Sequence, residues 1–151
     1  MATVAVAGPG FYLQTRQSGF AVHISASQEH LQRVRELASQ TLLQAGVGED
    51  TAESAQLVAS ELVGNAVRAC GDLVPLVVEV DTAELGVWVK VHDPDSGHLP
   101  CCCEVPMNDA DAESGRGLGL VDVLAPGWDV IATPTGKQIR AQLPYGEGDH
   151  A

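Results

Sequence analysis

Three short polar islands interrupt an otherwise apolar chain, and each is tied to a regular pattern. The first, Glu61-Leu62-Val63-Gly64-Asn65-Ala66-Val67-Arg68, lies inside a helical pattern. The second, Val91-His92-Asp93-Pro94-Asp95-Ser96-Gly97, follows a strand pattern, and the third, Gly115-Arg116-Gly117-Leu118-Gly119-Leu120, opens a short helix. A fold that uses all three has to bring one helix face, one strand end and one helix start to a common cleft.

The segments between the islands supply the elements. Residues 1–18 carry Gly8-Pro9-Gly10 and little periodicity, which predicts a flexible N-terminal arm. Phe20-Ala21-Val22-His23-Ile24 alternates apolar and polar residues and predicts a first strand. Ser27 is placed to cap a helix with Leu31, Val34, Leu37, Ala38, Thr41 and Leu42 on one face, closed by Gly46. Glu49-Asp50-Thr51 starts a second helix that runs to Cys70 and stops at Gly71. Two Val-rich runs, Pro75–Asp81 and Leu85–His92, predict a hairpin through Thr82-Ala83-Glu84.

Residues 94–114, rich in turn formers, cysteines and acids, fit no periodic element and predict a flexible segment. A short helix from Gly117 to Leu124 ends at Pro126-Gly127. Trp128–Thr133 and Lys137–Leu143 then predict a closing hairpin around Pro134-Thr135-Gly136, with Trp88 and Trp128 as core aromatics. From Tyr145 the chain is polar. The expected organisation is an arm (1–18), one domain (19–144) and a frayed tail (145–151). Its class is α+β, a two-layer sandwich of a mixed, mostly antiparallel sheet with helices on one face.

Composition narrows the function classes. A chain of 151 residues with 45% hydrophobic and 19% charged residues suits one globular domain. No apolar run reaches the ~20 residues that span a bilayer, and the start has neither a basic region nor a long apolar stretch. A cytoplasmic location follows as the expectation. The net charge of −12, from 20 acidic and 8 basic residues, argues against direct contact with nucleic acid and directs attention to protein partners. The adjacent Cys101, Cys102 and Cys103 lack the spacing of tetrahedral zinc ligands and read, with Cys70, as reduced thiols.

Glu61, Asn65 and Arg68, spaced four and three residues apart, project from one face of the second helix. Leu62, Ala66 and Ala69, with Ala55, Val58 and Ala59, occupy a neighbouring face suited to packing on a sheet. Taken alone, this polar stripe also reads as a solvated face, Asp93-Pro94 as a turn, and the third island as a set of packing glycines. The third island is not a dinucleotide fingerprint, because it follows a loop, and it lacks the Gly-Lys-Ser/Thr of a P-loop.

Together the islands resemble the N, G1 and G2 boxes of the GHKL ATPases, nearest to the small anti-sigma-factor serine kinases and their actinobacterial relatives. The resemblance covers roughly residues 20–144. It implies the histidine-kinase-like ATPase fold with ATP and Mg²⁺ as cofactors. Asn65 would hold the metal, Glu61 would be the general base, and Arg68 would help neutralise phosphate charge. Asp93 would accept from the adenine amine, with Gly97 letting the backbone approach the base. Gly115, Arg116, Gly117, Leu118 and Gly119 would cradle the phosphates. Gln138 stands where the family's Gly-x-Thr has Thr beside the adenine, and Asp95 replaces the first Gly of D-x-G-x-G.

The segment His98–Ser114 would be the ATP lid. The implied activity is serine/threonine protein kinase action on an anti-anti-sigma-type antagonist in a partner-switching pathway, with a sigma factor as a further partner and a homodimer allowed. The alternative is a catalytically weak ATP/ADP-dependent binding module. A sensor histidine kinase is disfavoured because His30, the helical candidate, lacks an acidic C-terminal neighbour, and a gyrase-like ATPase needs a transducer domain.

Overall fold

Alternation along the strands sorts one sheet into a buried and a bare face. In β5 (Gly86–Asp93), Val87, Val89, Val91 and Asp93 are buried, while Trp88, Lys90 and His92 are half-buried on the other side. The computed structural model describes residues 3–95, 112–147 and 149. The other strands are β1 (Thr3–Gly8), β2 (Phe11–Thr15), β3 (Gly19–Ser25), β4 (Pro75–Thr82), β6 (Asp129–Thr133) and β7 (Gly136–Pro144). They form one seven-stranded sheet in the order β1-β2-β3-β4-β5-β7-β6. The sheet, expected as mostly antiparallel, is antiparallel at every described pairing. It stays so because β7 folds back between β5 and β6, so no strand lies beside a parallel one.

Three helices, α1 (Gln28–Gln44), α2 (Glu49–Cys70) and α3 (Ala112–Leu124), accompany the sheet, with α2 packed against α1, α3, β5 and β7. The Ser27 hydroxyl accepts from His30 N at 3.1 Å and starts α1 as its sequence predicts. Val34, Ala38 and Leu42 are its buried residues. The buried face of α2 is mostly small: Ala52, Ala55, Val58, Ala59, Leu62, Val63 and Ala66, with Asn65 among them. Gly71, at φ +99, ends this helix where expected.

Four expectations are corrected. Much of the presumed N-terminal arm is a hairpin: Gly8-Pro9-Gly10 is the turn between β1 and β2, and β2 pairs with β3. Phe11 anchors it, buried against the core with the Arg33 guanidinium 4.7 Å from its ring centre. Apolar burial there outweighs the weak local pattern. Helix α3 begins at Ala112, before Gly117, because Ala112 and Glu113 are strong helix formers. Trp88 lies on the face away from the helices, with the Lys90 ammonium 5.3 Å from its ring, whereas Trp128 packs against the core.

The described part of the tail is docked, where fraying was expected. The Tyr145 hydroxyl donates to Ala83 O at 2.5 Å. Asp149 accepts from Gly48 N and, at 2.8 Å, from the Thr51 hydroxyl. Gly48, the N-cap of α2, has no side chain with which to cap. Asp149 therefore satisfies, from a distant part of the chain, the N–H of the N-cap residue itself, the bond that an acid at the third helical position makes in a capping box, and its charge suits the helix N-terminus.

On the bare face, Arg16 pairs with Glu79 and, at 3.2 Å, with Asp81. Arg140 holds Asp129 through two hydrogen bonds of 2.8 and 2.6 Å. These exposed pairs set cross-strand preferences and add little stability.

Asp149→Ala should lower stability by about 1 kcal/mol, a fall in Tm of about 2–4 °C, in thermal denaturation followed by circular dichroism. An unchanged Tm would remove Asp149 from any capping role.

Candidate functional site

The site grows from the meeting of two strand ends. Antiparallel register sets Asp93, the last residue of β5, opposite Lys137 near the start of β7. Gly136 makes this approach possible. It sits at φ +155, and a Cβ on it would lie 1.9 Å from Asp93 O.

Asp93 and Lys137 continue the buried rows of their strands, and each is 1% exposed. The Lys137 ammonium donates to Asp93 Oδ1 at 3.1 Å and to the Asp95 carbonyl at 3.0 Å, with Asp95 Oδ2 at 3.8 Å. Asp95 N also donates to Asp93 Oδ1, at 2.8 Å. The other oxygen, Asp93 Oδ2, is buried and has no hydrogen-bond partner among the described residues. Most buried polar atoms are paired, and an orphan typically costs about 1–3 kcal/mol. This oxygen is an acceptor awaiting a donor.

Helix α2 brings the first island to the same region. Asn65 is 8% exposed, Glu61 is half-buried and Arg68 is exposed. The Arg68 guanidinium lies back along the helix, its Nη1 3.3 Å from where a Cβ on Gly64 would be. Cys70, the last residue of α2, reports how near this helix end lies to the strand ends. Burial pushes its thiol pKa up, the charges of Asp93 and Asp95 push it further, and Lys137 opposes them.

The third island is placed differently from its expectation. Gly115, Arg116, Gly117, Leu118 and Gly119 all lie within α3. Leu118 is a core residue, and Gly119 faces open space. Past the first turn a helix spends its N–H groups on its own carbonyls, so this stretch offers phosphates fewer donors than a loop would. Gly97, Cys101, Cys102, Cys103 and most of the expected lid, its residues 98–111, lie outside the described residues. Residues 112–114 of that segment are helical.

Gln138 does not reach the site. It points to the bare face, where its amide donates to Glu79 Oε2 at 3.1 Å. The site position belongs to Lys137, which the motif comparison passed over. The signal was present: Lys137 shares the alternation of Ile139, Ala141 and Leu143, all buried. A lysine in phase with a core row calls for a buried partner.

Two predictions follow from the pair and its neighbour. Lys137→Met should destabilise the fold by about 3–5 kcal/mol, because it leaves a buried carboxylate uncompensated. Adding Asp93→Asn should recover much of that loss in chemical denaturation. In a protein whose Cys101, Cys102 and Cys103 are all serine, Asp95→Asn should speed alkylation of Cys70 at pH 8. Removing a negative neighbour lowers the thiol pKa and raises the thiolate fraction, so a rate unchanged or slowed would refute the electrostatic link.

Comparison with known families agrees with this geometry. The family model described as histidine kinase-like ATPase domain matches residues 24–143. No curated protein matches the chain. The match takes in the end of β3, strands β4 to β7, all three helices, the polar stripe of α2 and the Asp93 strand end, and it implies ATP binding. This chain belongs to the histidine kinase-like ATPase domain family.

Proposed function

We propose that the protein binds ATP with Mg²⁺ and is a serine/threonine protein kinase, acting on a small antagonist of the anti-anti-sigma type in a partner-switching pathway that also involves a sigma factor. The observation that carries the nucleotide reading is Asp93: a buried carboxylate at a strand end with one oxygen that has no donor among the described residues. The exocyclic amine of adenine supplies that donor. Guanine would set a carbonyl against the carboxylate, so selectivity follows from the unpaired polar groups.

Asn65, nearly buried on α2, offers an amide oxygen of the hard type that Mg²⁺ accepts. When bound, the metal would neutralise charge on the phosphates. Glu61 stands one helical turn before Asn65, half-buried, where a carboxylate can take the proton of a serine hydroxyl as its oxygen attacks the terminal phosphorus and ADP leaves. Arg68, exposed farther along the same stripe, is suited to phosphate charge. The first turn of α3, from Ala112, adds the positive end of a helix dipole.

The net charge of −12 supports a protein partner over nucleic acid. No helix among the described residues is long and apolar enough to cross a membrane, and the reading is of a cytoplasmic regulator.

Calorimetry should show Mg²⁺-dependent binding of ATP in preference to GTP, and equal affinity for the two would sink the adenine reading. Glu61→Gln should keep ATP affinity and lose about 10²–10⁴-fold in phosphotransfer to the antagonist. If wild type transfers no phosphate yet exchanges protein partners when ATP replaces ADP, the protein is a nucleotide-gated binding module. Equal transfer by wild type and Glu61→Gln would remove Glu61 as the base.

A further inference from the structure

We infer that the nucleotide base is read by the Asp93–Lys137 pair together, with Lys137 donating to the ring nitrogen beside the exocyclic amine. This inference rests on the ATP reading above and assigns the half of the base edge that Asp93 cannot read.

An ammonium carries three donors. Two of those on Lys137 are used, at 3.1 Å to Asp93 Oδ1 and 3.0 Å to the Asp95 carbonyl. Asp95 Oδ2, at 3.8 Å, lies beyond hydrogen-bond length. Among the described residues, one N–H therefore remains on a group bonded to the same carboxylate whose other oxygen, Oδ2, has no donor there. The site holds a spare donor and a spare acceptor on paired, 1% exposed side chains.

The amino edge of adenine presents the complement: a donor amine next to N1, an acceptor. Guanine reverses the order, with a carbonyl next to an N–H, so in the same register both contacts become repulsive. A purely structural counter-ion for Asp93 would be expected to leave neither group with an unmet bond. Gln138, whose sequence position suggested a role beside the base, is bonded to Glu79 on the far face and leaves this place to Lys137.

The chain has two lysines, Lys90 and Lys137, which makes the ammonium directly observable. Protein labelled with ¹⁵N-lysine would be titrated with Mg-ATP and with Mg-1-deaza-ATP, in which a C–H replaces N1 and the amine is kept. Lys90→Arg assigns the two resonances, and Lys90, on the bare face beside Trp88, is the internal control. We expect ATP to shift the Lys137 signal and 1-deaza-ATP to leave it near its ligand-free position. The analogue should bind about 10- to 100-fold more weakly, as loss of a hydrogen bond to a charged group implies.

Support requires both results. Equal affinities would overturn the inference, and so would a Lys137 signal that ATP does not move, since another group would then read N1. If ATP binds and only these readouts fail, the ATP reading stands alone. If no adenine nucleotide binds, both fall.

Discussion

The strict alternation of β5 fixes more of this molecule than any other single constraint. Val87, Val89 and Val91 must face the helices to form the core, and Asp93 is next in the same row. A carboxylate delivered beneath helices needs a partner, and the register of β7 supplies Lys137 opposite it. A slip of one residue in β5 would send Asp93 to water and the valines with it, and a slip in β7 would do the same to Lys137 and Ile139. The recognition end of the site and the core of the sheet are therefore set by one register, with Gly136 admitting the close approach that locks it.

Helix α2 completes the arrangement from the other side. Its amphipathic pattern is offset, so that the polar stripe of Glu61 and Asn65 runs beside the core stripe instead of opposite it. That offset tucks Asn65 under cover while Arg68 reaches solvent. At its beginning the helix is held by Asp149, a residue about a hundred positions away in sequence. The element that carries the polar stripe is thus tied to the tail as well as to the sheet.

Local signals made much of this legible. Ser27 and Gly71 marked helix ends through capping chemistry that depends on a few adjacent residues. The Val-rich runs marked β4 and β5 through their alternation, and Asp93 stood out as a strand-end acid after an apolar row. What escaped depends on distant partners. The β1–β2 hairpin gains its stability from Phe11 entering a core built by later segments. Asp149 caps a helix with which it shares no local pattern. Lys137 was hidden because a motif comparison ranks residues by type, whereas burial follows phase, and phase puts Lys137 inside and Gln138 outside. The glycines of the third island were read as the start of a short helix that cradles phosphates, yet the preceding Ala112 and Glu113 carry the helix through them.

The small side chains beneath α2 determine which sequence changes this protein tolerates. Ala52, Ala55, Ala59 and Ala66 are each 1% exposed or less and let the helix lie close to its neighbours. Enlarging any of them in a packed interior typically costs about 1–3 kcal/mol, with part of the strain relieved by backbone shifts. A shift of α2 carries Glu61 and Asn65 away from a strand end that β7 holds in place. Variation at these alanines would thus disturb the site without touching it, whereas the exposed residues of α1 and the bare face of the sheet can drift freely. Divergent relatives of this chain are expected to keep volume constant along α2 more strictly than charge anywhere on the surface.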